Sequence, residues 1–238
     1  MASPHESESR RLIRSAVKQY SRLAMTTGLN LSGIVLLDLA ATEGFRGDVL
    51  FVDTGFHFQQ TLDLWQRLAN RYRNVNFITL NALQEDVERE ALYATDPTLC
   101  CETNKVHPLS EHLARYRPQA LLNARTQFSA STRSDLGPIE HGDPVRINPL
   151  YAWNRTALED YAEHHELETH PLYDEGYLSL GCWPCTRALR PGEDIRAGRF
   201  DGQGRSECGI WTQGSLGTTT PLPQPHRQST PVTTQGVS

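Results

Sequence analysis

The chain has 238 residues, of which 38% are hydrophobic, so it is long enough to bury a substantial core without disulfide bonds. Its formal net charge of -5 gives no reason to expect a nucleic-acid partner. The first residues are polar and charged, and no later run approaches the roughly 20 apolar residues that cross a bilayer, so we expect a cytoplasmic protein without a membrane partner.

Strands and helices are predicted to alternate along most of the chain. A first helix covers RRLIRSAVKQYSRLA, where apolar residues recur at helical spacing. The strand and helix pairs that follow are LAMTT with GIVLLDLAA, DVLFVDTG with FQQTLDLWQRLANRYR, and VNFITL with ALQEDVEREALY. A helix near residues 105–116 then precedes ALLNAR, and RINPLYAW precedes NRTALEDYAEHHEL. This alternation predicts a Rossmann-like, doubly wound, mainly parallel sheet in a single α/β domain.

Three loops of this predicted sheet are candidate ligand sites, because ligands of such sheets bind beyond the carboxyl ends of the strands. The loops are TTGLNLSG, DTGFHF and NARTQFSASTR. In the first loop, Thr26 and Thr27 offer hydroxyl groups next to a helix amino terminus, which suits an anion. In the third, Arg125, Ser129 and Arg133 suit a phosphate or sulfate group. An ordinary strand-to-helix turn and a solvated loop are the plainer alternatives.

The last part of the chain carries little periodic pattern. From about residue 169 to residue 211 it is rich in Gly, Pro and charge, which is typical of an ordered functional loop region. We therefore place one domain over residues 1–211. Residues 212–238 are rich in Thr, Pro and Gln and poor in large apolar side chains, so they predict a disordered, flexible tail.

Four of the five cysteines form two pairs. Cys100 and Cys101 are adjacent, while Cys182 and Cys185 form a CxxC, and such pairs in a reducing compartment favour metal ligands or redox catalysts. Two adjacent thiolates strain the tetrahedron around one zinc ion, whereas a four-iron four-sulfur (4Fe-4S) cluster offers each thiolate its own iron. On spacing alone, a structural zinc site and a vicinal disulfide beside an unrelated CxxC turn stay open.

The fifth cysteine, Cys208, stands alone in SECGIW, between glycine-containing stretches. These polar surroundings argue against burial and make it a candidate nucleophile, although no neighbour in sequence gives a reason for a low thiol pKa. The plainer alternative is an inert cysteine. The scattered histidines, His57 among them, are expected at the surface or at helix caps.

In order, these stretches resemble the assimilatory adenylyl-sulfate and phosphoadenylyl-sulfate reductases, from about Arg22 to Cys208. LFVDTGFHFQQT resembles the LDTG nucleotide-site segment of that family, CCETNKVHPL resembles its CCxxRKVxPL motif, and RTQFSASTRSDL resembles its arginine loop. INPLYAW, HPLYDEGY, PGEDIRAGR and ECGIW complete the set. The combination of CC, CxxC and a terminal ECG is highly specific for the members that carry an iron-sulfur cluster.

The resemblance implies a fold of the adenine nucleotide alpha-hydrolase-like type and a 4Fe-4S cluster on Cys100, Cys101, Cys182 and Cys185. It implies that Cys208 attacks the sulfur of adenylyl sulfate, displaces AMP and holds a thiosulfonate, from which thioredoxin or a glutaredoxin-like dithiol releases sulfite during sulfate assimilation and cysteine biosynthesis. The substrate-binding candidates are Thr26, Thr27, Asp53, Thr54, Gly55, Lys105, Arg125, Ser129 and Arg133.

Several positions depart from the family pattern. Asn104 stands where the cysteine motif has arginine, Thr126, Gln127 and Phe128 alter the arginine loop, and Trp211 replaces the histidine of ECGLH. These changes reduce the number of polar groups expected around the substrate. They leave the cysteines intact, so an active enzyme is expected.

Two other functions remain open from the sequence. The first is reduction of phosphoadenylyl sulfate, although reductases devoted to that substrate generally lack the four paired cysteines. The second is a non-catalytic metal-binding protein of the same fold, which would have no need for Cys208. Self-association as a homo-oligomer is also left open.

Overall fold

The computed structural model describes residues 3–82, 88–205 and 207–210. The α-helices are α1 (Pro4–Gln19), α2 (Leu31–Thr42), α3 (Gln59–Arg71), α4 (Glu88–Thr95), α5 (Pro97–Cys101), α6 (His107–Tyr116) and α7 (Arg155–His164). The strands are β1 (Leu23–Thr27), β2 (Asp48–Asp53), β3 (Asn76–Asn81), β4 (Ala120–Asn123), β5 (Ile139–Glu140) and β6 (Val145–Ile147). Short 3₁₀ turns supplement the helices, among them Pro171–Tyr173 and Trp183–Cys185.

The strands form one six-stranded sheet in the order β3-β2-β1-β4-β6-β5. Within the described ranges, every neighbouring pair is parallel except β5 with β6. The predicted mainly parallel sheet is therefore confirmed. The order places β1 between β2 and β4, so β2 and β3 lie on one side of β1 and the later strands lie on the other. The strand order therefore reverses at β1, and ligands of open α/β sheets usually bind at such a switch point. The two-residue strand β5 was not predicted, because so short a segment carries no periodic pattern.

Alternating side chains of the strands pack on opposite faces of the sheet. Val49 and Phe51 belong to a large apolar cluster with residues of α1, α2, α3 and α7. Leu50, between them, belongs to a second cluster with Leu109 and Leu113 of α6. Because successive side chains of a strand point to opposite faces, this division shows that helices cover the sheet on both sides, as a doubly wound fold requires.

Helix α2 lies deep in the larger cluster and begins at the switch point. Residues 34–37 are fully buried, which explains why this helix is apolar all round. Asn30 caps it by accepting a hydrogen bond from the Gly33 amide at 2.9 Å. A Cβ at Gly33 would lie 2.6 Å from Thr27 Oγ1, so the first turn of α2 can approach the end of β1 only with glycine there.

The helix that carries the cysteine pair starts earlier than predicted. Instead of beginning near residue 105, it starts with α5 at Pro97, passes through a π-helical turn, Glu102–Val106, and continues as α6. Asp96 caps α5 by accepting a hydrogen bond from the Leu99 amide at 2.9 Å. An aspartate followed by proline is a helix-start signal that was present in the sequence.

Pro108 accounts for the wider turn. Proline has no amide proton, and its ring excludes the carbonyl four residues earlier, so the regular helical ladder cannot pass this point. The His107 amide bonds instead to the Glu102 carbonyl, five residues back. Cys101, at the end of α5, and Lys105, in the π turn, therefore lie on one continuous helical segment.

From residue 165 onward the described chain is mostly irregular, with short helical turns. No helix in the described part of the chain is long and apolar enough to cross a membrane. The tail predicted for residues 212–238, and Trp211 before it, lie outside the described residues.

Candidate active site

A cavity of about 1010 Å³ lies at the carboxyl ends of β1, β2 and β4. Its volume is close to the upper end of the roughly 300–1,000 Å³ range of small-molecule sites. The candidate residues that line it are Thr26, Thr27, Lys105, Arg125, Ser129, Arg133 and Cys208. The fold thus brings together all three predicted loops, the second of them through His57, with the helix that carries the cysteine pair and the segment with the lone cysteine.

The cavity wall is strongly basic although the chain as a whole is acidic. Among the described residues, eight basic side chains line it against three acidic ones, Asp135, Glu140 and Glu207. The basic residues are Lys105, Arg125, Arg133, Arg146, Arg155, Arg196, Arg199 and Arg205. Such a surplus in a concave site focuses the positive potential and favours an anionic ligand.

The two arginines predicted to hold the anion have carboxylate partners. Arg125 Nη1 donates to Glu140 Oε2 at 2.8 Å. Arg133 donates to Ser129 Oγ at 2.8 Å through Nη1 and to Glu207 Oε2 at 2.8 Å through Nη2. Arg133 therefore connects the arginine loop to the residue that precedes the candidate nucleophile.

Arg196 and Arg199 are cavity residues that the sequence reasoning missed. Arg199 is anchored by backbone carbonyls, with Nη1 donating to Leu180 O at 2.6 Å and Nε to Cys185 O at 3.3 Å. A Cβ at Gly181 would lie 2.4 Å from Arg199 Nη2, so glycine at that position makes room for the guanidinium. The stretch PGEDIRAGR contributes to the resemblance, but it has no periodic pattern that would show where its arginines point.

Cys208 is half-buried and lies in a cationic environment. Burial alone would raise the pKa of its thiol, but Lys105, the Ile210 amide and Arg199 outweigh burial and lower that pKa. In return, the sulfurs of Cys182 and Cys208 raise the pKa of buried Lys105 against the effect of its burial. The expectation that Cys208 is exposed, without any group to lower its pKa, is therefore corrected by residues distant in sequence.

His57 was expected at the surface or as a cap, and that prediction is wrong. Its ring lines the cavity, and its Nε2 is 3.0 Å from the Val52 carbonyl oxygen, to which it donates. Burial, together with the charge of Lys105, lowers the pKa of His57 to about 4. The imidazole is therefore neutral at physiological pH and adds no charge to the cavity.

The four paired cysteines meet in a second, smaller pocket, and Lys105 lines both this pocket and the cavity. We call Cys100, Cys101, Cys182 and Cys185 the cysteine group. All of them are free thiols, so the pair at 100 and 101 forms no vicinal disulfide in the structure. Phe56 and Tyr93 form part of the pocket wall, which makes the surroundings largely apolar.

Each sulfur of the cysteine group has a polar side-chain atom within hydrogen-bonding distance. These contacts are Thr54 Oγ1 with Cys182 Sγ at 3.2 Å, and Asn104 Nδ2 with Cys100 Sγ, Gln203 Nε2 with Cys185 Sγ and Arg205 Nη2 with Cys101 Sγ, each at 3.6 Å. Donors to sulfur stabilise thiolates, and such outer contacts are the usual support of a metal centre.

The cysteine group offers four cysteine side chains around one pocket, which is the kind of donor set that a 4Fe-4S cluster uses. In the described part of the chain, no three His, Cys, Asp or Glu side chains are grouped so that they could hold a metal ion. Burial raises the pKa of Cys100 to about 11, so without a metal this thiol is protonated at neutral pH.

The three residues of the DTG segment do not line the cavity in the described structure. Thr54 is buried against Cys182, as given above. Asp53 Oδ1 accepts a hydrogen bond from the Gly55 amide at 2.9 Å and so shapes the turn after β2. The structure thus places Thr54 with the cysteine group and Asp53 and Gly55 in the supporting turn.

Comparisons with known proteins agree with this geometry. Residues 22–188 match the family described as the phosphoadenosine phosphosulfate reductase domain. The adenosine 5'-phosphosulfate reductase of Deinococcus radiodurans is 50% identical over 210 residues, which cover 87% of this chain and 82% of that protein. The protein of the same name from Rhodococcus opacus is 38% identical over 189 residues, 76% of this chain and 75% of its own.

A solved structure is similar as well. The phosphoadenylyl-sulfate reductase of Candida auris, in its phosphate complex, aligns with a TM-score of 0.63 and 27% identity. The alignment covers 74% of this chain and 88% of that one.

Proposed function

Because the chain belongs to the phosphoadenosine phosphosulfate reductase domain family, we propose that it reduces adenylyl sulfate to sulfite and AMP. The proposed reductant is thioredoxin or a glutaredoxin-like dithiol, and the proposed setting is sulfate assimilation in the cytoplasm, where thiols are kept reduced. The observation that carries the proposal is the position of Cys208, a thiol outside the cysteine group that lines a basic cavity.

In the first half-reaction, the Cys208 thiolate attacks the sulfur of the sulfate group. A bond forms between Cys208 Sγ and that sulfur, and the bond from the sulfur to the bridging phosphate oxygen breaks. AMP leaves with the electron pair, and the enzyme keeps an S-sulfocysteine. The lowered pKa of Cys208 supports this step, because the thiolate is the nucleophilic form.

The basic residues of the cavity stabilise charge during this step. The sulfate and phosphate groups of the substrate are adjacent anions, and negative charge grows on the phosphate as AMP leaves. We assign Lys105 and Arg199, the cations that act on Cys208, to the sulfate, and Arg125 and Arg133 to the phosphate. The amino terminus of α2, whose Asn30 and Ser32 also line the cavity, favours an anion at the same edge.

In the second half-reaction, one thiol of the reductant attacks Cys208 Sγ, and sulfite leaves with the electron pair. The mixed disulfide is then resolved by the second thiol of the reductant, which departs as a disulfide and returns Cys208 as a free thiol. The dithiol thus supplies the two electrons of the reaction. Gly204 and Gly209 have φ angles of 65° and 83°, and we assign them as hinges that let the segment open to the reductant.

The cysteine group would hold the 4Fe-4S cluster. When bound, the cluster supplies charge beside Lys105 and joins the helix of Cys100 and Cys101 to the turn of Cys182 and Cys185. The chemistry of the two half-reactions is complete with Cys208 and the dithiol, so the proposal gives the cluster an electrostatic and structural role.

The test is an anaerobic assay of sulfite release with thioredoxin supplied. Wild-type protein should release sulfite from adenylyl sulfate, and without reductant mass spectrometry should find a sulfonate on the peptide that contains Cys208. Cys208→Ser should retain iron and sulfide but form no such adduct. A sulfonate on another cysteine, or normal sulfite release by the variant, would show that the nucleophile is wrong.

The same assay decides between adenylyl sulfate and phosphoadenylyl sulfate. We favour adenylyl sulfate because relatives at 50% and 38% identity carry that substrate in their names, whereas the relative named for phosphoadenylyl sulfate is 27% identical. A higher kcat/KM with phosphoadenylyl sulfate would reverse this preference. Absence of sulfite release from both nucleotides would favour the non-catalytic metal-binding protein.

A further inference from the structure

The segment that carries Cys208 touches both halves of the cysteine group. Gln203 Nε2 lies 3.6 Å from Cys185 Sγ, and Arg205 Nη2 lies 3.6 Å from Cys101 Sγ. Gln203 therefore contacts the CxxC pair, and Arg205 contacts the pair of adjacent cysteines. Both donors lie within five residues of Cys208. The contacts thus connect the reactive thiol, through a few backbone bonds, to the residues proposed to hold the cluster.

Arg205 is held in place by neighbours of its own segment. Its Nε donates to Gln203 Oε1 at 3.0 Å, so the two donors are joined to each other. Its guanidinium lies 4.6 Å from the centroid of the Phe200 ring, which is buried. The Phe200 amide in turn donates to the Cys185 carbonyl at 3.1 Å. A guanidinium fixed by a ring and an amide loses little conformational freedom when it bonds to a sulfur.

A third contact anchors the segment on its other side. Glu207 forms an ion pair with Arg133 at 2.8 Å, and both side chains are largely buried. Gln203 and Arg205 hold the segment to the cysteine group, and Glu207 holds it to the arginine loop. Cys208 follows immediately after the last of these anchors, so its position depends on all three.

We propose that Arg205 and Gln203 are positioning residues, which dock the Cys208 segment on the cysteine group through their hydrogen bonds to Cys101 and Cys185. A hydrogen bond from a guanidinium to an anionic sulfur is about twice as strong as one between neutral groups. This inference rests on the proposed function, because it takes Cys208 as the nucleophile and the cysteine group as cluster ligands.

Amide hydrogen exchange of anaerobically purified full-length protein tests the docking. The compared proteins are wild type, Arg205→Met, Gln203→Leu and, as a control, Arg190→Met, which removes the same charge from an exposed position of the same loop region. Loss of a charge-assisted hydrogen bond should speed exchange in peptides covering residues 199–208 by about tenfold or more in Arg205→Met. Gln203→Leu should produce a smaller increase, and Arg190→Met none.

The reduction potential of the bound cluster is a second measurement. A purely structural role of Arg205 would leave this potential unchanged. Donors to cysteine sulfur stabilise the more negative, reduced state, so Arg205→Met should have a lower potential than wild type at equal iron and sulfide content. Arg205→Lys, which retains the charge, should recover part of the shift. Arg190→Met should match wild type.

The outcomes separate this inference from the proposed function. A wild-type protein without iron and sulfide, or without sulfite release, overturns the function proposed above. The docking role is wrong if the wild-type protein contains iron and sulfide and is active, while Arg205→Met and Arg190→Met have the same amide exchange rates and the same cluster reduction potential. Faster exchange together with an unchanged potential would also overturn it, because the segment would then be held by contacts other than those to sulfur.

Discussion

The five cysteines have the same chemistry as free amino acids, and their surroundings in the fold set them apart. Burial raises the pKa of Cys100 to about 11, and neighbouring sulfurs add to this effect. For Cys208, the cations Lys105 and Arg199 reverse the effect of burial and lower the thiol pKa. The fold therefore favours the nucleophilic thiolate form at Cys208 and the protonated form at Cys100.

The first residue-scale prediction concerns pH. Because the pKa of Cys208 is lowered, S-sulfocysteine formation should be fast above that pKa and should decline only below the ordinary cysteine pKa of about 8.5 as the pH falls. Lys105→Met should move this decline to higher pH, since it removes the main cation that lowers the pKa. Quenched single-turnover mass spectrometry across pH measures both, with iron content as the control. A wild-type decline at or above the ordinary value would contradict the prediction.

The second residue-scale prediction concerns Gly181. In Gly181→Ala, the new Cβ would lie 2.4 Å from Arg199 Nη2, so the guanidinium must leave its place in the cavity wall. Loss of one charged hydrogen-bonding partner should weaken nucleotide binding about tenfold or more. Isothermal titration with adenylyl sulfate, in a Cys208→Ser background that prevents turnover, measures this effect. Gly142→Ala is the matched control, because its Cβ would meet only Pro144 O at 3.5 Å, and equal affinities for the two variants would refute the role of Arg199.

At the scale of elements, the segment α5, π turn and α6 organises the site. Asp96 starts it, Pro108 widens its middle turn, and the segment carries two members of the cysteine group as well as Lys105. A π turn changes which side chains share a face, and such turns are frequent at functional sites. Here it lies between Cys101 and α6 and contains the lysine that acts on Cys208.

The cap of this helix can be tested directly. Asp96→Ala removes the acceptor for the Leu99 amide and should lower the free energy of unfolding by about 1 kcal/mol. Because the cap is one turn from Cys100, iron should also be lost faster on exposure to a chelator. Asp96→Ser retains a capping oxygen and should behave like wild type. Chemical denaturation and the rate of iron release are the measurements, and identical values for the alanine and serine variants would disprove the cap.

At the scale of the whole molecule, the two cysteine pairs come from distant parts of the chain and meet between the cavity and the aromatic residues Phe56 and Tyr93. A bound cluster would therefore cross-link the helix of Cys100 to the irregular segment that contains Cys182. The basic cavity is likewise assembled from loops, a helix and the C-terminal segment. Neither feature belongs to any single element.

Two substitutions distinguish the roles of the cysteines in the assembled molecule. Cys182→Ser should lose iron, sulfide and most activity, whereas Cys208→Ser should retain iron and sulfide and lose activity alone. Metal analysis and visible spectra of anaerobically purified protein provide the comparison. Full iron content in Cys182→Ser, or stoichiometric zinc without sulfide in wild type, would refute the proposed ligand set.

The charge of the cavity predicts a salt effect. Nucleotide affinity should fall as ionic strength rises, since the attraction between an anion and a cationic site is screened. The KM for adenylyl sulfate should increase several-fold between low and high salt, while kcat changes less. A KM independent of salt would show that the carboxylates Glu140 and Glu207 already neutralise the site.

The sequence by itself determined the class of the fold, the positions of the main strands and the family. Strand and helix periodicity are local properties, so LAMTT, DVLFVD and ALLN were recognisable as strands, and the rule for parallel sheets placed their loops at one edge. The motifs at Cys100, Cys182 and Cys208 are also local and carried the resemblance that the family match confirmed.

Only the tertiary structure decided how these residues act on one another. The pKa of Cys208 depends on Lys105, about a hundred residues away, and the contacts of Thr54 and Arg205 with cysteine sulfurs join segments that no periodic pattern relates. Arg199 and His57 line the cavity for the same reason. Electrostatic and hydrogen-bonding energies depend on distances in space, and in an irregular loop region the sequence does not specify those distances until the chain has folded.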